Sequence, residues 1–196
     1  EERISKYILR TPIIYDENLD IYLKLENKQK TGSFKFRGAL NKILTLEKWE
    51  KEQGLVTASA GNHGQGVALS GRIVGTHVIV FASDHAVPSK VAAMQELGAD
   101  VHFVEGGYGL AEKTALDFSN QNNLTYISPY NDGQIIAGQG TIGLEVLQEI
   151  KDVPGLTWVV PVGGGGLISG IGSVVKQINP NSELVGVQPE ASAFMY

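Results

Sequence analysis

Trp158-Val159-Val160-Pro161-Val162-Gly163-Gly164-Gly165-Gly166-Leu167-Ile168-Ser169-Gly170-Ile171 carries an apolar, β-branched run into a helical pattern through four consecutive glycines. A short buried strand that enters a helix through such a turn is the unit from which parallel α/β sheets are assembled. The run lacks the spacing of the dinucleotide fingerprint and the Gly-Lys-Ser/Thr ending of a P-loop. Two readings of the glycines stand side by side. Without side chains, the backbone N–H groups can converge on an anion at the positive end of the helix over residues 168–178, which suits a phosphate. The same glycines would also let that helix pack closely on its sheet. Four in succession directly after a strand favour the phosphate.

Working outward, further β-branched runs fall at residues 21–25, 55–57, 76–82, 100–104, 125–127 and 184–187. Between them Ala111, Ala115 and Phe118 lie at helical spacing, as do Leu144, Leu147 and Ile150 with Val146 beside them. The alternation predicts an α/β fold with mostly parallel sheets and helices on both faces. No repeat or linker composition marks a domain boundary. After residues 184–187 the chain reaches Tyr196 without room for another crossover. The last sheet is therefore expected to be completed by something beyond this sequence.

At 196 residues and 42% hydrophobic, the chain is able to bury a sizeable core, as one large domain or two small ones. Its net charge of −5 leaves no basic field for a phosphate backbone, so nucleic acid is excluded as an expected partner. The absence of cysteine excludes a disulfide framework and thiolate zinc sites, and fits a reducing compartment. The charged start, Glu1-Glu2-Arg3-Ile4-Ser5-Lys6, has no apolar stretch of signal-peptide or membrane-span length. A soluble, cytoplasmic protein with no membrane partner is expected.

Two more loops draw attention. Thr57-Ala58-Ser59-Ala60-Gly61-Asn62-His63-Gly64-Gln65-Gly66 lies between a strand and a helix running toward Ile73. Ser59, Asn62 and the free N–H groups there can grip a carboxylate or a ring hydroxyl, or merely cap the helix. His63 alone reads more simply as a structural histidine. In Lys30-Thr31-Gly32-Ser33-Phe34-Lys35-Phe36-Arg37-Gly38-Ala39, Ser33 is expected to cap a helix through Leu40, Ile43 and Leu44. Lys35 then falls in the first turn, where the helix dipole disfavours a cation, and Phe34 and Phe36 add desolvation. Both effects lower the amine's basicity, as a nucleophilic lysine requires. The alternative is an ordinary solvated lysine, although helix starts favour acids instead.

A phosphate cradle, a lysine of low basicity and an anion-holding polar loop are the parts of a pyridoxal 5'-phosphate site. Together, Ser33-Phe34-Lys35-Phe36-Arg37-Gly38-Ala39, Ser59-Ala60-Gly61-Asn62-His63 and Gly163-Gly164-Gly165-Gly166-Leu167 resemble, in order, the three signatures of the threonine/serine dehydratase family. The similarity extends through Arg10-Thr11-Pro12, Tyr22-Leu23-Lys24-Leu25-Glu26-Asn27 and Ile136-Ala137-Gly138-Gln139-Gly140-Thr141.

The resemblance implies a tryptophan-synthase-β-like fold of two domains. Residues 54–128 would form a small substrate-carboxylate-binding domain, and residues 1–53 and 129–196 an incomplete large one. It implies that Lys35 carries the cofactor and then serves as general base, that Phe34 packs on the ring, and that Asn62 meets the ring hydroxyl. Gly163, Gly164, Gly165, Gly166 and Leu167 would hold the phosphate, and Ser59, Gly61, Asn62 and His63 the substrate carboxylate. The implied reaction is elimination from L-threonine or L-serine to a 2-oxo acid and ammonia, in a homodimer or homotetramer. Related serine racemases place a second serine where this chain has Ala60, which favours elimination over racemisation. The rivals are a racemase or β-replacement synthase on the same fold, and a non-catalytic amino-acid-binding remnant.

Departures from the family are also visible. Residues 187–192 resemble a region where some relatives bind a divalent cation, but Gln188 and Phe194 replace acidic ligands, so no metal is expected. Relatives continue past Tyr196 to a serine or cysteine that meets the pyridine nitrogen, so this chain alone is expected to be weakly active or inactive. The connection from Tyr15 to Ile21 is shorter than usual for the family.

Overall fold

The computed structural model describes residues 1–150 and 155–193. In chain order it has α1 (Glu2–Ser5), β1 (Ile13–Asp16), β2 (Ile21–Lys24), α2 (Lys35–Thr45), α3 (Lys48–Gln53), β3 (Leu55–Ala58), α4 (Asn62–Val74) and β4 (Val78–Ser83). There follow α5 (Pro88–Glu96), β5 (Asp100–Val104), α6 (Tyr108–Asn122), β6 (Thr125–Tyr126), α7 (Gly133–Glu149), β7 (Thr157–Pro161), α8 (Gly166–Ile178) and β8 (Glu183–Val187).

The central sheet has the order β5-β4-β3-β6, all parallel. Every residue of β3 is buried, as expected of a parallel strand covered on both faces. Strand periodicity assigns its side chains to opposite layers. Leu55, Val78 and Val80 join Val67 and Ala68 of α4 and Val91 and Met94 of α5. Val56, Ala58 and Phe81 instead meet Ala115 of α6. Two faces therefore carry helices, and both α4 and the loop after β3 open at the C-terminal end of the strands, where α/β sheets place ligands.

A second, smaller sheet pairs β7 with β8 in parallel, Trp158 opposite Leu184. Trp158 and Val160 pack with Ile142 and Val146 of α7 and Ile171 and Val175 of α8. The alternate positions face outward, and Val159 is 67% exposed. The short connection after Tyr15 is the turn of an antiparallel hairpin between β1 and β2, with Asp20 in the left-handed region at φ 54°. This hairpin is the antiparallel exception in an otherwise parallel set of strands, because two strands joined by four residues have no length for a crossover.

Helix α2 links the two sheets by packing on both α4 and α7. Its crossing with α7 is close enough that a Cβ at Gly138 would lie 2.6 Å from the Arg37 carbonyl oxygen and from Gly38 Cα. Beside that crossing Arg37, fully buried, donates to Glu26 at 2.8 Å and to Glu145 at 2.6 and 2.9 Å, and Lys24 reaches Glu145 at 2.6 Å. These ion pairs satisfy one another in a region where an unpaired charge would be severely penalised. They fix the start of α2.

Candidate active site

Lys35 is the first helical residue of α2, preceded by Phe34 as N-cap with no side-chain cap. Ser33 does not cap the helix as expected. Phe34 already has helical angles, φ −61° and ψ −20°, which moves the cap one residue along and leaves the buried Ser33 hydroxyl without a partner. The Lys35 ammonium donates to the Pro129 carbonyl at 2.7 Å and stands 5.4 Å from the centre of the Phe34 ring. Burial lowers its pKa from 10.5 to about 8, because a low-dielectric site disfavours the charged form. Phe36 instead lies in the core with Ile4 and Leu40.

Opposite Lys35 is the glycine loop. Gly165, the N-cap of α8, has φ 83°, a conformation that a side chain would strain. A Cβ at Gly164 would come within 2.5 Å of the Tyr130 ring, whereas one at Gly163 would meet nothing within 4 Å. Gly164 is held close by the Tyr130 ring of a neighbouring turn, not by the sheet under the helix, whereas Gly163 lies open. The N–H groups of the first turn of α8 have no intrahelical acceptors and point outward at its positive end. Phe34, Lys35, Tyr130, Val162, the four glycines and Leu167 line one cavity of about 310 Å³, a volume within the range of small-molecule sites.

The turn between β6 and α7 supplies the remaining wall. Ser128 accepts from the Asn131 N–H at 3.0 Å, and Asp132 caps α7 by accepting from Gln134 and Ile135 at 2.7 and 3.1 Å. Held at both ends, the turn presents the Pro129 carbonyl and the Tyr130 ring. Sequence reading passed over Tyr130 because a lone tyrosine in a loop carries no pattern. The Ser-Pro-Tyr-Asn-Asp turn ahead of a capped helix was the available signal.

The polar loop is placed at the start of α4, whose N-cap is Gly61. Ser59 accepts from the Gly61 N–H at 3.1 Å, so it shapes the loop and does not cap the helix. Asn62 is exposed and its Oδ1 accepts from Lys90 at 3.0 Å. His63 is buried with Nε2 3.2 Å from the Ile127 carbonyl. Desolvation, and then the nearby charge of Lys35, lower its pKa to about 3. Its imidazole is thus neutral, which suits the structural reading, and only its backbone N–H is suited to an anion. The structure brings Phe34, Lys35, Gly163, Gly164, Gly165, Gly166 and Leu167 to one cavity. Ser59, Gly61, Asn62 and His63 are not among its walls.

This donor set fits pyridoxal phosphate: an amine of low basicity, an aromatic face beside it, an anion cradle opposite, and open space at Gly163. Gln188 lies in the described region, Phe194 outside it, and among the described residues no three acidic or histidine side chains are grouped to hold a metal. Among the same residues no helix is long and apolar enough to cross a membrane.

The family model described as pyridoxal-phosphate dependent enzyme matches residues 4–196. An L-threonine ammonia-lyase of Thermotoga maritima is 43% identical over 97% of this chain and 48% of its own length. The processed form of threonine deaminase isoform 2 from Solanum lycopersicum superposes with a TM-score of 0.90 at 38% identity, over 95% of this chain and 56% of that one. A maize serine racemase gives a TM-score of 0.93 at 31% identity, over 98% and 60%. The chain spans about half the length of the curated relatives it matches.

Proposed function

We propose, from the premise that this chain belongs to the pyridoxal-phosphate dependent enzyme family, that the protein carrying it is a threonine/serine ammonia-lyase. The observation that carries the reading is the placement of Lys35, buried and of lowered basicity, across one cavity from the glycine cradle. The substrate would be L-threonine or L-serine. Loss of the Cα proton and of the β-hydroxyl as water leaves an enamine, whose hydrolysis gives 2-oxobutanoate or pyruvate and ammonia.

When bound, pyridoxal phosphate supplies an electron sink for charge developing at Cα. The N–H groups of Gly163 to Leu167 would hold its phosphate, Lys35 would anchor it, and Phe34 would pack on the ring. Lys35, once free as an amine, takes the Cα proton, and a pKa of about 8 keeps part of it in the basic form at neutral pH. The loop of Ser59, Gly61, Asn62 and His63 would receive the substrate carboxylate, and Asn62, once released from Lys90, would meet the ring hydroxyl. Residues 54–128 act as the smaller domain and close over the cavity, excluding water. The protein is proposed to be cytoplasmic and a homodimer or homotetramer.

Ala60 favours elimination over racemisation, since a methyl group cannot exchange a proton on the second face of Cα. The decisive experiment is an absorbance spectrum of the purified protein with pyridoxal phosphate, before and after L-threonine, beside Lys35→Ala. A lysine-dependent visible band that threonine alters, with 2-oxobutanoate accumulating, is expected. A band equally strong in Lys35→Ala, or inversion of serine without 2-oxo acid, overturns the reading.

A further inference from the structure

Behind the cavity wall that Tyr130 forms, three phenols converge on a single carboxylate oxygen. Tyr108, Tyr130 and Tyr126 donate to Glu112 Oε1 at 3.1, 3.4 and 3.5 Å. Glu112 is on α6, on the face of the central sheet that faces away from α4 and α5. The other contacts of two of these tyrosines make the cluster informative. Tyr130 packs its ring on Gly164 and its backbone on Gly166, the floor of the glycine cradle. Tyr126 packs against the cluster that contains Ala58, the last residue of β3 before Ser59. The carboxylate therefore stands between the polar loop and the cradle, which belong to different sheets.

We propose that Glu112 is a positioning residue that ties the loop after β3 to the glycine cradle through Tyr126 and Tyr130, so that order in one loop is felt by the other. Its consequence for cofactor binding rests on the functional reading above, whereas its geometry does not. Burial and then the Glu112 charge raise the phenol pKa of both Tyr126 and Tyr130. Both hydroxyls therefore stay protonated, and remain donors to Glu112, at physiological pH. At 3.4 and 3.5 Å the contacts of Tyr130 and Tyr126 are longer than an ordinary O–H···O bond, so both have room to tighten. Such a shared acceptor is a physical link of packed and hydrogen-bonded groups, one of the ways in which coupling between two sites is carried.

Tyr126→Phe tests this with minimal disturbance, since it removes one oxygen whose hydrogen bond goes to Glu112 and keeps the ring that packs against the Ala58 cluster. In the cofactor-free protein, amide hydrogen exchange across Gly163 to Leu167 is expected to accelerate roughly two- to tenfold in Tyr126→Phe and in Glu112→Gln, the scale of one lost hydrogen bond. If exchange there is unchanged in both variants while Tyr130→Phe alters it, the loop depends on Tyr130 alone and the link is refuted. A parallel titration with pyridoxal phosphate, read by visible absorbance, is expected to show the dissociation constant rising by a similar factor. Should the unmodified protein take up no cofactor at Lys35, the functional reading fails, and the exchange result still decides the link.

Discussion

Lys35 donates to the carbonyl of Pro129 at 2.7 Å, joining the first residue of α2 to a turn 94 positions later in the chain. That bond steadies an ammonium which burial otherwise disfavours. It also places the amine beside Tyr130, the residue that packs under the glycine cradle.

The cost of that burial is measurable through pH. Between about pH 8 and 10.5 the unfolded chain retains a proton that the folded Lys35 has released, so stability rises with pH across this window. Lys35→Met is expected to stabilise the cofactor-free protein at pH 7 by about 1–3 kcal/mol, less than the full shift because the bond to Pro129 is lost. The gain should shrink as the pH is raised past 8, and thermal melts at pH 7 and pH 10 check it. Formation of the cofactor band should accelerate about tenfold per pH unit below 8 and level off above it.

Glycine substitutions separate the two roles of the cradle. Gly163→Ala adds a methyl into space free of protein atoms, so the melting temperature should hold while pyridoxal phosphate affinity falls at least about tenfold. Gly164→Ala drives a methyl to within 2.5 Å of the Tyr130 ring. It should lose about 1–3 kcal/mol of stability as well as affinity. Equal affinity for Gly163→Ala and the unmodified protein would exclude the cradle as the phosphate site.

His63 makes a prediction on the acid side. The unfolded chain takes up a proton near pH 6.5 that the folded ring refuses until about pH 3, so stability is lost as pH falls through that interval. His63→Gln should flatten the dependence of the melting temperature on pH between 6.5 and 4. Activity profiles near neutrality should show no ionisation assignable to this residue.

Arg37 is fully buried between Glu26 and Glu145. Arg37→Met leaves two carboxylates, with Lys24 as the nearby cation, and is expected to cost about 3–5 kcal/mol, measured by urea unfolding. Because this network fixes α2 two residues from Lys35, cofactor affinity should fall with it, whereas the exposed pair Lys113–Asp117 can be removed with little effect.

Much of the site was legible because its parts are local. Strand, glycine turn and helix at residues 157–178 follow from patterns a few residues long, as does the helix that begins beside Lys35. Less legible was anything depending on partners distant in sequence. Ser33 was read as a cap because Ser is a good one, and only the helical angles of Phe34 show that the cap position had moved. The Lys35 pKa was expected to fall by the helix dipole and by desolvation from Phe34 and Phe36; desolvation is the cause in the fold, but Phe36, identical in kind to Phe34, is turned to the core. Glu112 carried no signal and Tyr130 only that of its turn, since each matters through residues from other elements.

The sequence by itself determined the alternation of strands and helices, the three loops that carry chemistry and their family resemblance, because side-chain periodicity and turn chemistry act over one or two turns of chain. The tertiary structure alone decided which loops share a cavity. Packing of α2 against α4 and α7 sets Lys35 opposite the glycines and leaves Asn62 outside, bonded to Lys90. That choice follows from close-packing and the pairing of buried charge, which depend on where distant residues meet in space.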